Sequence, residues 1–162
     1  MQGCQISFPE RIYTLDELKE ARVAIASGYK HDLKVVGDTQ FNDKISLIIG
    51  LVELAGYKEL LRTFIRELRQ IEGVSQLRET EASIWLNKMT LENPIEGTRF
   101  IMQKVFQMKS YIEGAAWYIM GELPAVRRSI DFLNELRSRL DDAELKAKCS
   151  QVIDEWTVDR VT

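Results

Sequence analysis

The sequence predicts an all-α fold: a single-domain antiparallel helical bundle of six to seven helices. Three observations carry that expectation. Apolar residues recur at alternating three- and four-residue steps through most of the chain, the spacing of one helix face. Helix-start signals stand before those runs, at Thr14, Asp38, Asn93 and Asp141. The connections between runs are short, which favours antiparallel neighbours. A length of 162 residues with 45% hydrophobic and 29% charged side chains is enough for one globular core without disulfides or metals. The domain is expected to cover residues 1–162, with an irregular arm over 1–13 and a frayed tail over 158–162.

Thr14-Leu15-Asp16-Glu17 fits a capping box, so a helix starts there and carries Leu15, Leu18, Val23, Ala24 and Ile25 to Ser27-Gly28. The next segment, Tyr29 to Gly37, has no helical period and reads as irregular, with Leu33, Val35 and Val36 able to form a short extended piece. Asp38 or Thr39 opens the run that looks central. Phe41, Ile45, Ile48, Val52 and Ala55 make one row and Leu47, Leu51 and Leu54 a second, so this helix is expected to be covered on several sides. Its narrow polar strip includes Ser46 and Gly50, small enough to admit a close neighbour. Gly56 ends it, and the chain folds back into a helix with Leu60, Leu61, Phe64, Ile65, Leu68 and Ile71 inward, running to Gly73.

Ser75 is read as the cap of a further helix with Leu77, Ala82, Trp85, Leu86 and Met89 inward. Asn93-Pro94-Ile95-Glu96 is the strongest start signal, with Asn as N-cap, Pro at the first helical position and Glu two further on. The long helix after it keeps a four-three alternation from Ile101 to Ile119, with Gly114 able to break it. Pro124 opens another, and the last shows Leu145, Cys149, Val152 and Trp156. The short segment 116–121 resembles the first-helix signature of a tetratricopeptide repeat. Pro124 follows too soon for that helix and the segment has no second copy, so a repeat array is not predicted.

Charge excludes more than it identifies. The two halves carry 11 basic and 13 acidic, then 11 basic and 12 acidic residues, so neither has the electrostatic footprint of a general nucleic-acid binder. Cys4 and Cys149 make no disulfide framework and no thiolate metal site. The opening residues lack the apolar stretch of a secretory signal, and the longest apolar run is too short to span a bilayer. A cytoplasmic protein that does not enter the membrane is expected.

Catalytic constellations are sparse. The chain has one histidine, His31, beside Asp32, and histidine-rich metal sites need several. Glu17-x-x-Glu20 gives half of the carboxylate set of a helical Mg²⁺ site but finds no second half, and reads more simply as first-turn acids. Cys149 lies on an apolar stripe, and no phosphate loop, dinucleotide fingerprint or nucleophile elbow is present. No cofactor and no metal is expected.

Two positive signals remain. Lys58, Arg62, Arg66 and Arg69 fall at four-four-three spacing, hence on one edge of a helix, where they would form an anion-binding strip. Glu59, Glu67 and Glu72 interleave with them, as on a solvated face. Arg127, Arg128, Arg137 and Arg139 mark a second basic region. On the long helix, Tyr111, Trp117, Tyr118 and Met120 crowd together in a pattern suited to a self-association surface. The expected role is therefore a non-enzymatic interaction or scaffold protein, its partner a second copy of itself or another protein. A carboxylate- or arginine-based enzyme, or a phosphate or nucleotide binder, is the first alternative. A nucleic-acid-associated regulator using the Lys58–Arg69 strip is the second.

Overall fold

In the computed structural model, which describes residues 7–114 and 122–161, the first helix begins where the capping box sets it. Thr14 accepts the Glu17 amide and Glu17 accepts the Thr14 amide, and α1 runs over Leu15–Ala26. It buries Ala21 and Ala24, leaving Leu15 and Val23 in water. From there the structure corrects the all-α expectation. The chain is an α/β domain: six helices and a four-stranded mixed sheet among the described residues.

β1 is the short extended piece Lys34–Val36. Asp38 then caps α2 (Thr39–Leu54), its carboxylate accepting the Phe41 amide at 2.8 Å. The tight turn predicted at Gly56 is present, with φ at +85°, and leads into α3 (Lys58–Phe64). There the expected helix stops. Ile65 is extended, and the Arg66 amide donates to the Ala82 carbonyl, so the chain enters β2 (Glu67–Gln70) instead. The predicted helix after Ser75 is replaced by β3 (Gln76–Arg78), a 3₁₀ turn at Glu79–Glu81, β4 (Ser83–Leu86) and a second 3₁₀ turn at Lys88–Leu91.

The strand order is β1-β2-β4-β3. β1, β2 and β4 are parallel, with Leu68 opposite Val35 and Ile84, and β3 runs antiparallel on the β4 edge. Because side chains alternate along a strand, Leu68, Ile84 and Leu86 share the fully buried face. Glu67, Arg69, Ser83 and Trp85 share the other. There Arg69 pairs with Glu67 at 2.9 Å, Ser83 Oγ donates to Glu67, and the Arg78 guanidinium lies 4.4 Å from the Trp85 ring.

α4 (Pro94–Glu113) starts on the Asn93 cap and ends at Gly114, whose φ is +71°. It touches α1, α2, α3, α5 and α6, so it, rather than α2, is the centre of the core. α2 has one buried face, and Leu47 and Leu54 are exposed. The close approach between the two comes from Gly97, where a Cβ would lie 3.2 Å from Ile48 Cδ1 and 3.3 Å from Leu91 Cα; Gly50 faces open space. α5 (Glu122–Arg139) and α6 (Ala143–Val161) close the helical side, and Asp142 Oδ1 accepts the Leu145 amide at the start of α6. No helix among the described residues is long and apolar enough to cross a membrane.

Arginines hold these parts together through backbone carbonyls. Arg22 reaches Ile112 at the end of α4, and Arg139 reaches Leu54 at the end of α2. Such carbonyls have no partner within their own helix, so a cationic side chain satisfies them and meets the negative end of the helix dipole. Arg99 is the buried case. It lies between Glu96, Gln103 and Ser129, with its guanidinium 3.7 Å from the Trp156 ring centroid, and joins α4, α5 and α6.

Candidate functional site

Three parallel strands bring three chain segments to one end of the sheet, just beyond Val36, Gln70 and Leu86. The strand after Val36 turns at Gly37, where a Cβ would fall on the Phe41 ring and within 2.9 Å of Gln70 Oε1. Only glycine lets the backbone come so near. This places Asp38 between the strands. Its amide donates to Gln70 Oε1 at 2.8 Å, and its Oδ2 accepts from Gln70 Nε2 at 3.2 Å and from Lys88 Nζ at 3.0 Å. Lys88 also donates to Gln40 Oε1. The Phe41 amide, then Lys88 and Gln70, hold the Asp38 carboxyl down at about 2.

Beside this cluster opens a cleft of about 530 Å³, lined by Gln40, Asp43, Lys44, Lys88, Met89 and Glu92. Its rim is made rigid by the turn that joins β2 to β3. Asn87 Nδ2 donates to the Glu72 and Gly73 carbonyls, the Asn87 amide donates to Ser75 Oγ, and Ser75 and Thr90 share a hydroxyl bond of 2.7 Å. Val74 and Met89 ride on these two stitched segments and are 82% and 74% exposed. They are two of the three most exposed large apolar side chains among the described residues, the third being Leu15 at the start of α1.

The predicted basic strip is divided by the end of α3. Lys58 and Arg62 stay together and line a smaller cleft of about 300 Å³ with Asp32, Leu33 and Ile49. Leu33 has φ of +64°, a strained value for a branched side chain. Lys58 sits 3.9 Å from Glu53, and Arg62 Nε donates to the His31 carbonyl. Arg66 turns the other way and donates to the carbonyls of Pro9, Glu10 and Glu81, while Arg69 is in β2, paired with Glu67. In the second basic region, Arg137 donates to Ser150 and Asn134, and Arg127 and Arg128 are exposed.

Of the aromatic surface, Tyr111 is half-buried and donates its hydroxyl to the Ile12 carbonyl. Trp117, Tyr118 and Met120 lie outside the described residues, as does the whole 116–121 segment. Among the described residues no group of three or more His, Cys, Asp or Glu could hold a metal ion. Glu17 is occupied as the cap of α1, and burial pushes the Cys149 thiol up to about 11, which keeps it protonated and unreactive near neutrality.

Comparison with protein-family models, curated proteins and solved structures gave no match.

Sequence reasoning recovered Asp38 as a helix cap and missed its partners. Gln70 and Lys88 fall within predicted helices, and the trace of their true setting is the Ser83-Ile84-Trp85-Leu86 run. Its β-branched and aromatic centre suits a strand.

Proposed function

We propose that this protein is a non-enzymatic interaction protein that self-associates through the surface at the carboxyl ends of β1, β2 and β4. One observation carries the reading: strongly exposed Met89 lines a cleft bearing both signs of charge, and likewise exposed Val74 lies on the segment stitched to the one that carries Met89. Apolar side chains within a polar rim are the anatomy of an interface centre. Asp43 and Glu92 against Lys44 and Lys88 form a self-complementary set, which a two-fold axis can pair with its own copy. Tyr111 already serves an intrachain bond, so the interface is assigned to the sheet end and away from that tyrosine. We take the compartment to be the cytoplasm, where a free thiol such as Cys149 persists.

The test is solution mass by analytical ultracentrifugation over a wide concentration range. The wild-type protein is expected to associate reversibly, and a Val74→Asp, Met89→Glu double variant to stay monomeric with an unchanged circular dichroism spectrum. A wild-type protein that is monomeric at the highest attainable concentration, or a variant that associates equally well, overturns the reading.

A second reading, a small phosphate or nucleotide binder, is favoured by the convergence of Lys58 and Arg62 in the cleft beside strained Leu33. A rise in melting temperature with phosphate or nucleotides, lost in Arg62→Gln, would support it; no rise would remove it.

A further inference from the structure

The chain's one histidine is in an unusual place. His31 is 2% exposed, and its buried Nε2 has no hydrogen-bond partner among the described residues. Its ring meets the Phe8 ring edge-on at 4.5 Å and the Tyr29 ring at 5.1 Å. Phe8 belongs to an irregular strap, residues 7–13, that runs to the first helix cap. The strap is held from two sides. Arg66 grips its amino-terminal part, donating to the Pro9 and Glu10 carbonyls with the guanidinium 5.6 Å from the Phe8 ring. Ile12, fully buried, is fixed by its amide on the Thr80 carbonyl and by the Tyr111 hydroxyl on its own carbonyl.

We propose that His31 is an acid-operated latch: its neutral ring keeps Phe8 and the strap closed, and its protonation opens them. A buried imidazolium needs an acceptor for each N–H, and the buried Nε2 meets none among the described residues. The charged groups around the ring worsen the case. Arg66, on the way into β2, places a second cation near it, and Arg62, on α3, is engaged with the His31 backbone carbonyl. Lys30 and Asp32 flank it in the chain, and the Tyr29 ring stands nearly perpendicular to it. No carboxylate side chain among the described residues hydrogen-bonds the imidazole. The backbone of His31 is tied to α3 through its amide on the Arg62 carbonyl and its carbonyl on Arg62 Nε. The ring therefore reaches water most directly by displacing Phe8, which packs edge-on against it.

Burial, then the Arg66 charge, holds the imidazole down at about 4 against an ordinary value of 6.5. The sign follows from linkage. The open state binds the proton more tightly, so opening is promoted as pH falls below about 6.5. The equilibrium moves about tenfold per pH unit, the slope of one proton, and levels off near 4, roughly 300-fold in all.

Hydrogen–deuterium exchange on the full chain, corrected for the intrinsic pH dependence, tests this. Peptides covering 7–13 should gain exchange with that slope while peptides of α4 stay protected, and in His31→Leu the strap should stay closed over the same range. The single imidazole resonance gives a second readout in the unmutated protein: its titration should lie well below that of a free histidine. Strap and α4 opening together, a strap indifferent to pH between 6.5 and 4, a strap that opens alike in His31→Leu, or an ordinary imidazole titration would each overturn the latch.

Discussion

Replacing Arg99 by alanine is expected to cost about 3–5 kcal/mol of folding stability, the range for breaking a buried charged pair from one side. The structure supplies the terms. The guanidinium is fully buried and gives Nε to both Glu96 oxygens at 3.1 and 3.2 Å, one terminal nitrogen to Glu96 at 2.8 Å, and the other to Gln103 at 2.6 Å and Ser129 at 3.2 Å. Alanine strands the Gln103 oxygen, roughly 1–3 kcal/mol. It also removes a stacked cation from Trp156, about 2 kcal/mol where desolvated. Glu96 is partly exposed and keeps the Trp156 Nε1 bond at 3.0 Å, so its charge is not left wholly bare. That places the total toward the lower end. For a domain of this size the melting temperature should fall by roughly 6–20 °C. Urea unfolding followed by far-ultraviolet circular dichroism measures it without relying on Trp156 as a probe. Arg99→Met, which keeps most of the stem, should recover the cavity part alone, and Trp156→Phe should lose about 1 kcal/mol. An Arg99→Ala variant within 1 kcal/mol of wild type would show that the network does not join the three helices as described.

Two glycines should respond in opposite directions. Gly37→Ala drives a methyl into Phe41 and Gln70 and should destabilise by about 1–3 kcal/mol, whereas Gly50→Ala, in open space inside α2, should stabilise by about 1 kcal/mol; paired urea melts read both. The Asp38 cluster stabilises through a depressed carboxyl. Its contribution is full above the ordinary value of 3.8 and is lost as pH falls through about 2, so the stability gap between wild type and Asp38→Asn should be constant near neutrality and close on acidification. Cys149 should resist alkylation near pH 8 until the protein is denatured, which peptide mapping by mass spectrometry detects; rapid modification of the native protein would contradict the buried, protonated thiol.

The helices that could be read from the sequence are those whose signals are local. Thr14 with Glu17, Asp38, and Asn93 with Pro94 each fix a helix start within a few residues of themselves, and each appears where expected. The sheet was hidden because its strands are three or four residues long and its central β2 is made from sequence that suits helices. Glu67-Leu68-Arg69-Gln70 has good helix formers throughout, and Leu60, Leu61, Phe64, Ile65 and Leu68 keep a helical period across the real boundary at Ile65. What decides the matter is distant: the Arg66 amide finds Ala82, and Leu68 pairs with Ile84. The candidate site shares this limit, since Asp38, Gln70 and Lys88 meet only once the parallel register is set. The same holds for Arg62 and Arg66, whose even spacing suggested one exposed edge and whose guanidinium groups serve different carbonyls.

The central place of α4 bears on the order in which the chain folds. Among the described residues, α4, α5 and α6 are consecutive elements that pack together, so neighbours in sequence make these contacts. β1 reaches β2 only across the intervening α2 and α3. Loop closure is dearer there, and each strand pair offers few residues in return. The carboxy-terminal helices should therefore gather first, offering α2 and the sheet a surface on which to assemble. In kinetic terms, substitutions in the α4–α5 contact, such as Ser129→Ala, which removes the Arg99–Ser129 bond, should slow refolding, while Ile84→Val in the sheet should chiefly speed unfolding. The opposite pattern would make the sheet the nucleus.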